Sequence, residues 1–315
     1  MIVHNCQQNE CKKYGRNATG KQRYRCTQCG KAWLEEKPEP IGNMRISLKD
    51  ACTVLNLLLE GMSIRATSRI TGIHYDTIGD LILTVGENCE ALLNSIRGYE
   101  AKDVQVDEIW SFVGCKERTA SLKDYDYDFG DSWTVAAIER DSKLVIAMQV
   151  GQRDTTTITT LLQKLADSTT GRFQISTDGL AAYKHNIPFM LGDRVDFGVI
   201  MKQFANKQST TRYSPAKIIG TKKKVRFGKP DEDRISTSHV ERLNLTIRMN
   251  NRRFTRLTNA HSKSFKHHVA MQNIFFAWYN WCRKHSTIKT TPAVASGLAE
   301  KQWTLKTLLE RAATV

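Results

Sequence analysis

The sequence lacks any apolar run that approaches the roughly 18 consecutive residues needed to span a membrane. Its first six residues also lack the basic start and apolar core of a secretory signal peptide. We therefore expect neither membrane insertion nor secretion. In the reducing environment that this implies, cysteines are expected to act as buried apolar groups or metal ligands rather than to form disulfides.

The sequence also has fewer acidic than basic residues. The 315 residues include 47 Lys and Arg but only 32 Asp and Glu, which gives a formal net charge of +15. Such an excess favours nucleic acid as a partner, because basic side chains that neutralise phosphates release condensed counterions. Residues 201–256 alone hold 15 basic and 4 acidic residues, a local net of +11. For the run Lys222, Lys223 and Lys224, a solvated loop is the alternative to phosphate binding.

Four of the eight cysteines lie within the first thirty residues: Cys6, Cys11, Cys26 and Cys29. Gaps of four and two residues within the pairs suit thiolate ligation of one tetrahedral Zn²⁺. A segment this short cannot bury a sufficient core, so the metal would supply folding free energy. We predict a zinc ribbon at residues 1–35 with one structural Zn²⁺. His4 is an alternative ligand in the first pair.

A linker at residues 36–46 leads to a helical block at residues 47–97. Ser47 and Ser63 are predicted N-caps, and Gly61 and Gly72 are predicted helix ends. A helix, a glycine turn and a second helix make a helix-turn-helix, whose second helix can enter a major groove. The alternative is a helical hairpin that only packs on its neighbours. The residues expected near DNA are Tyr75, Asp76 and Thr77.

From about residue 101 the pattern becomes α/β. Three strands, the last two joined as a hairpin, precede a helix, a strand, a helix and a strand. This order predicts a mixed sheet of the ribonuclease-H type. The acidic stretch 124–131 lacks the spacing of an EF-hand and is expected to be a solvated loop. The aromatic run 275–281 is expected to pack in the core rather than to stack on bases.

Three acidic residues stand out within this pattern: Asp107 in a strand, Asp178 at a strand end and Glu241 in a helix. Carboxylate oxygens suit Mg²⁺, and two such ions roughly 3.5–4 Å apart can clamp the attacking and leaving oxygens of phosphoryl transfer. For each acid alone, an ordinary solvated position is the alternative. Glu108 would point to the opposite face of its strand, which makes it the weaker candidate.

The segments 106–110, 177–183 and 238–244 resemble the three acidic motifs of DDE transposases, with the acids separated by 71 and 63 positions. The zinc ribbon, the helix-turn-helix and the segments 279–286 and 290–298 resemble the bacterial insertion-sequence-one family and its relatives. The resemblance covers nearly the whole chain. It implies a multidomain α+β protein with a ribonuclease-H-like mixed α/β catalytic core and a helical C-terminus.

In that interpretation residues 101–285 form the catalytic domain, with a basic insert near 204–234 and a C-terminal tail at 286–315. Asp107, Asp178 and Glu241 would be catalytic and would hold two Mg²⁺ or Mn²⁺ ions. The resemblance implies nicking and strand transfer on double-stranded DNA, at both element ends and target, by a homodimer or larger assembly. A cytoplasmic, nucleoid-associated bacterial protein is expected. The residues expected to contact phosphates are Lys222, Lys223, Lys224 and Arg242.

Two other functions fit the same residues less well. A sequence-specific DNA-binding regulator would keep the N-terminal domains beside an inactive ribonuclease-H-like domain, and it would show no metal-dependent strand chemistry. A nuclease of the same fold would cut DNA without joining it. Inverted repeats with short direct repeats around the gene would favour transposition over both.

Overall fold

A computed structural model describes residues 11–16, 22–34, 39–123, 128–204 and 218–315. The chain divides into two compact units, Met1–Glu39 and Pro40–Val315. Cys6, one of the four predicted zinc ligands, lies outside the described residues, as does the first half of the acidic stretch, residues 124–127. In the described residues, no helix is both long enough and apolar enough to cross a bilayer.

The first unit contains a three-stranded antiparallel sheet in the order β1-β2-β3. Its strands are β1 (Cys11–Arg16), β2 (Gln22–Cys26) and β3 (Ala32–Leu34). The register pairs Cys11 with Cys26. Gly30 has a φ of 70° and donates its N–H to the Cys26 carbonyl at 3.1 Å, which closes the predicted glycine turn. Two of the predicted thiol ligands therefore lie on adjacent strands, while zinc binding itself stays a prediction.

The main sheet of the second unit is mixed, as predicted. In its described part the strand order is β11-β10-β9-β5-β6-β7. Strands β5, β6 and β7 form an antiparallel meander, β9 is parallel to β5 and β10, and β11 returns antiparallel to β10. A short parallel pair joins β4 (Tyr99–Glu100) to β8 (Thr169–Thr170). The main strands are β5 (Asp103–Val113), β6 (Gly130–Glu139), β7 (Val145–Gly151), β9 (Phe173–Thr177), β10 (Val195–Phe204) and β11 (Ile218–Phe227).

Strand β11 corrects one expectation about the basic segment. Lys222, Lys223 and Lys224 lie on this strand, opposite Met201, Ile200 and Val199 of β10, so the loop alternative is wrong. In the described part of the chain β11 is an edge strand, and its lysines are exposed. Charged side chains on a sheet edge are common because they discourage pairing with another chain.

Helices cover both faces of the sheet. Ser47 Oγ accepts from the Asp50 N–H and Ser63 Oγ from the Ala66 N–H, both at 3.1 Å, which confirms the predicted N-caps. Gly72 ends its helix with a φ of 73°, also as predicted. The described helices are α1 (Leu48–Leu59), α2 (Ile64–Thr71), α3 (Tyr75–Asn94), α4 (Glu117–Lys123), α5 (Thr155–Ser168), α6 (Ala181–Leu191), α7 (Ser238–Asn250), α8 (Phe265–Trp281), α9 (Pro292–Ala295) and α10 (Leu305–Ala312).

Two hydrophobic cores lie on opposite sides of the sheet. The core between the sheet and α5 and α6 contains Val104, Val106 and Ile175. The other packs α1, α3, α7, α8 and α10 against Ile109 and neighbouring sheet residues. Alternate residues of β5 thus enter different cores, as the two-residue period of a strand requires.

The aromatic run belongs to the second of these cores. Phe275, Phe276, Tyr279 and Trp281 are buried in α8, which confirms the expectation of core packing. Full burial of one such side chain contributes about 1.5–3 kcal/mol. Helix α3 approaches α8 closely at Gly86, where an added Cβ would lie 2.5 Å from the Cβ of Ala270.

The predicted helix-turn-helix therefore lies in the same compact unit as the sheet. Helices α2 and α3 have the predicted order and starting points. The C-terminal segment contains α10, whose Leu305, Leu308 and Leu309 pack in the same core. The predicted domain limits and the DNA-binding role stay predictions.

Candidate active site

Three carboxylates converge where strand β9 ends. Asp107 and Glu108 lie on β5, and Asp178 directly follows β9. One carboxylate oxygen from each residue lies within 4.8 Å of the others. The last residue pair between the parallel strands is Val106 with Thr177, so Asp178 comes beside Asp107 at the next position. Positions just beyond the carboxyl ends of strands are common ligand sites in α/β sheets.

Asp107 carries the most perturbed carboxyl group of the three. Burial is the main cause that raises its pKa to about 7, and the negative charges of Glu108, Asp178 and Glu241 contribute to that rise. The Asn244 side-chain amide donates to Asp107 Oδ2 at 2.9 Å. The buried amide oxygen of Asn244 has no hydrogen-bond partner among the described residues. The site therefore concentrates negative charge and oxygen acceptors, which is the chemistry that a hard divalent cation requires.

Glu108 corrects the sequence interpretation. Its side chain does contact residues on the α5 and α6 side, since the Tyr183 hydroxyl donates to Oε1 and Arg153 donates to Oε2 at 3.2 Å. Burial raises its pKa, and the Tyr183 hydrogen bond opposes that shift. Its carboxylate nevertheless joins Asp107 and Asp178. Because β9 ends at Thr177, side chains from both faces of β5 can reach around the open edge.

Asp178 also shapes the chain that follows it. Its Oδ1 accepts a hydrogen bond from the Leu180 N–H at 2.8 Å, which turns the backbone from β9 towards α6. The Asp-Gly sequence after an apolar strand was the signal that identified this position. Its other carboxylate oxygen has no hydrogen-bond donor among the described residues.

Glu241 lies on α7, at the edge of this group rather than within it. Its Oε1 accepts from the Thr237 hydroxyl at 2.6 Å and pairs with Lys202 of β10. It is not among the three residues within 4.8 Å of one another, although its charge acts on Asp107. The described structure thus brings Asp107 and Asp178 together directly and brings Glu241 near them.

Gln105 holds α7 against the sheet. Its side-chain oxygen accepts from the backbone N–H groups of His239 at 2.8 Å and Val240 at 3.3 Å. These are first-turn amides of α7, which would otherwise lack acceptors. Sequence reasoning missed both Gln105 and Asn244. A polar residue between Val104 and Val106 in a buried strand was the available signal for Gln105.

The predicted DNA-contacting residues lie on other elements. Tyr75 begins α3 beneath Arg65, whose guanidinium lies 3.7 Å from the ring centroid, and Asp76 is exposed beside half-buried Thr77. Lys223 donates to the backbone carbonyls of Glu232 at 2.6 Å and Asp233 at 3.2 Å. The remaining candidates, Lys222, Lys224 and Arg242, are exposed.

The candidate zinc ligands differ in exposure. Cys26 is buried, Cys11 is half-buried and Cys29 is exposed. The turn after β2 places Cys29 three residues beyond Cys26, within the spacing of a paired thiolate site. Cys6, the fourth predicted ligand, and its alternative His4 lie outside the described ranges.

Comparison with known proteins identifies no family for this chain. No protein-family model matches the chain, and no curated protein matches it. A solved structure of a piggyBac transposase synaptic complex with hairpin DNA is similar with a TM-score of 0.35 and 11% identity. The match covers 86% of this chain and 73% of that chain. A TM-score this low supports no argument about the function of this protein.

Proposed function

We propose that this protein is a metal-dependent DNA transposase of the DDE type. In this proposal it binds the terminal repeats of a mobile element, nicks the DNA and transfers strands. The observation that carries it is the convergence of Asp107 and Asp178, two acids 71 positions apart, with Glu108 at the end of strand β9. A structural role alone does not account for like charges gathered at half-buried positions, because their repulsion destabilises the fold.

The topology supports a ribonuclease-H-like core. Strands β5, β6 and β7 form the antiparallel part of the sheet, and β9 and β10 extend it in parallel on the other side of β5. Helix α5 connects the two parts and α6 connects β9 to β10. That is the order of elements expected of this fold from the sequence.

In the proposed site, Asp107 and Asp178 would hold two Mg²⁺ or Mn²⁺ ions and Glu241 would complete the second position. The bound ions would neutralise phosphate charge and activate a water for in-line displacement. Asn244 would keep the Asp107 carboxylate oriented, and Tyr183 and Arg153 would fix Glu108. Glu241 would have to leave Lys202, and partly exposed ion pairs of this kind contribute only about 0–1 kcal/mol.

DNA recognition would be divided between two regions. The zinc ribbon, with one structural Zn²⁺, and residues 47–97 would read the element ends. The basic residues of segment 201–256, including Lys222, Lys224 and Arg242, would hold phosphates regardless of sequence. Two element ends must be processed together, so a homodimer or larger assembly on double-stranded DNA is part of the proposal.

The test is to incubate the full chain with Mg²⁺ and a duplex that carries the terminal repeats flanking its gene. The proposal expects nicks at the repeat ends followed by joined products. A chain that cuts but never joins would be a nuclease, and a chain that binds the repeats without cutting would be a regulator. Either result would contradict the proposal, and the variant Asp107→Asn provides the matched inactive control.

A further inference from the structure

A cavity of about 610 Å³ lies along the same strand as the carboxylates. Trp110, Ser111 and Phe112 of β5 form one wall, and the segment 253–259 after α7 forms the other. Trp110 is three residues beyond Asp107, about 10 Å along an extended strand. Strand β9 borders β5 only as far as Val106, so the cavity opens on the stretch of β5 that β9 leaves uncovered.

The aromatic wall offers surfaces for a flat ligand. The rings of Trp110 and Phe112 are half-buried, with centroids 5.6 Å apart. Phe112 also stacks on His261, whose ring centroid is 4.5 Å away, which holds the Phe112 ring in place. Aromatic rings of this kind stack on nucleobases of any sequence, because every base has a π-face.

The opposite wall supplies positive charge. Lys116, Arg253 and Arg256 line the cavity, and its described lining contains no carboxylate. Arg253 makes no ion pair or guanidinium hydrogen bond with any described residue. Burial lowers its pKa to about 10, so the group remains charged at neutral pH. Arg253 is half-buried, and an anionic ligand would compensate its unpaired charge.

Arg248 connects this basic wall to the carboxylates. It lies one helical turn after Asn244, which donates to Asp107. Burial lowers the pKa of Arg248, the charge of Arg256 lowers it further, and the charge of Asp107 opposes both. The charges of Asp107, in the acidic site, and of Arg256, in the cavity wall, therefore both act on Arg248.

We propose that this cavity binds one unpaired nucleotide of a DNA strand, next to the phosphodiester held at the carboxylates. The base stacks against Trp110 and Phe112, and the adjoining phosphate pairs with Arg253 and Arg256. The identity of the strand as DNA rests on the proposed function. The combination of flat aromatic surface and uncompensated positive charge fits a nucleotide better than an apolar or cationic ligand.

The test measures binding alone, with the full chain carrying Asp107→Asn and Asp178→Asn and no added Mg²⁺ or Mn²⁺. Fluorescence anisotropy compares a blunt duplex with the same duplex bearing a short single-stranded overhang. Trp110→Ala should weaken binding of the overhang duplex roughly 5- to 150-fold, the loss expected for one stacked base. Binding of the blunt duplex should change less than about twofold, and Trp110→Phe should retain most of the preference.

Phe189→Ala is the matched control, since this aromatic side chain on α6 is 89% exposed and remote from the cavity in sequence. Phe189→Ala should change the affinity for neither the overhang duplex nor the blunt duplex.

Arg253→Met should reduce the salt dependence of overhang binding by about one unit of slope, as loss of one phosphate contact predicts. A 2-aminopurine base placed in the overhang should be quenched on binding, and Trp110→Ala should abolish that quenching.

Equal losses for both duplexes, or no loss with Trp110→Ala, would overturn the inference. So would a free mononucleotide that binds as tightly as the overhang duplex. These outcomes are separate from the fate of the proposed function. A protein that joins DNA without any overhang preference refutes the cavity assignment alone, whereas one that prefers overhangs but never cuts refutes only the transposase proposal.

Discussion

Two aspartates on strand β5, four residues apart, have opposite surroundings. The side chain of Asp103 is 1% exposed, and its Oδ2 accepts from Arg234 Nε at 2.9 Å and Arg140 Nη1 at 3.3 Å. Asp107 instead lies with Glu108 and Asp178. Burial raises the pKa of both aspartates, but arginines oppose the shift at Asp103 whereas carboxylates add to it at Asp107.

Under the proposed function, this difference separates a structural acid from a catalytic one. Asp103 is neutralised within the protein and ties β5 to the turn after β6 and to the segment before α7. Asp107 forms no ion pair with any described residue, and a metal cation would favour its ionised form. The charges that surround an acidic residue in a strand are therefore the best guide to its role.

The largest expected effect concerns catalysis. Asp107→Asn or Asp178→Asn should lower metal-dependent strand cleavage about a thousandfold or more, because each removes a negative ligand of the metal while keeping the side-chain shape. Gel assays of nicking and joining measure this, with anisotropy to show that terminal DNA still binds. The exposed Asp167→Asn on α5 is the control. Retained cleavage by either variant would assign that aspartate a structural role, like that of Asp103.

A second expectation concerns pH. The pKa of Asp107 is raised to about 7 in the folded state, so the unfolded chain loses this proton first as pH rises from about 4. The folded state therefore loses stability between about pH 4 and pH 7. Asp107→Asn should match the wild type near pH 4 and exceed its stability by on the order of 2–4 kcal/mol above pH 7 without metal.

Urea unfolding at several pH values, with chelator present, measures this difference. Asp103→Asn should gain less stability than Asp107→Asn over the same pH range, since arginines oppose the rise in the pKa of Asp103 whereas carboxylates add to it at Asp107. A pH-independent difference between Asp107→Asn and wild type would show that Asp107 is neutralised in the folded protein after all.

The third expectation tests the compensated acid directly. Arg234→Met should leave Asp103 with Arg140 alone and destabilise the second unit by about 2–3 kcal/mol, less than for a fully buried pair because Arg234 is 39% exposed. Denaturant unfolding measures the loss. Combining it with Asp103→Asn should restore part of the stability, since the buried charge is then absent. If the losses of unfolding free energy in the two single variants simply added in the double variant, the pairing of Asp103 with Arg234 would be contradicted.

The smallest effect is expected at the sheet edge. Lys222 and Lys224 on β11 make no ion pair with described residues, whereas Lys223 is bound to the carbonyls of Glu232 and Asp233. Replacing Lys222 and Lys224 with Ala should weaken binding of any duplex a few-fold and lower the salt slope by about one unit per lost contact. Lys223→Ala is the matched variant and should alter the slope less. A change in sequence preference alone would contradict the proposed division of labour.

Local features of the fold were predictable from sequence. Ser63 and Gly72 were identified as helix limits because their chemistry acts within a few residues. The order of strands and helices followed from periodicity. Strand β11 was missed because its alternation is masked by lysines, and its pairing with β10 depends on residues distant in sequence.

In the candidate site, too, some residues were predictable from local sequence and others depend on tertiary packing. Asp107 and Asp178 were predicted because each has a recognisable strand context. Glu108 was the weaker candidate because neighbouring residues of a strand point to opposite faces. Its carboxylate lies with those of Asp107 and Asp178 because β9 ends at Thr177. The cap that Gln105 provides to α7 and the pair between Lys202 and Glu241 depend on tertiary packing, for which the sequence offers no local signal.

The central claim is that Asp107 and Asp178 bind a divalent metal. The most direct test is an anomalous diffraction experiment on crystals of the full chain soaked in Mn²⁺. The account predicts at least one anomalous peak about 2.0–2.6 Å from carboxylate oxygens of both residues, the range for hard cations with oxygen ligands. It also predicts that Asp178→Asn crystals lose that peak. An ordered site without manganese at saturating concentration would contradict the account.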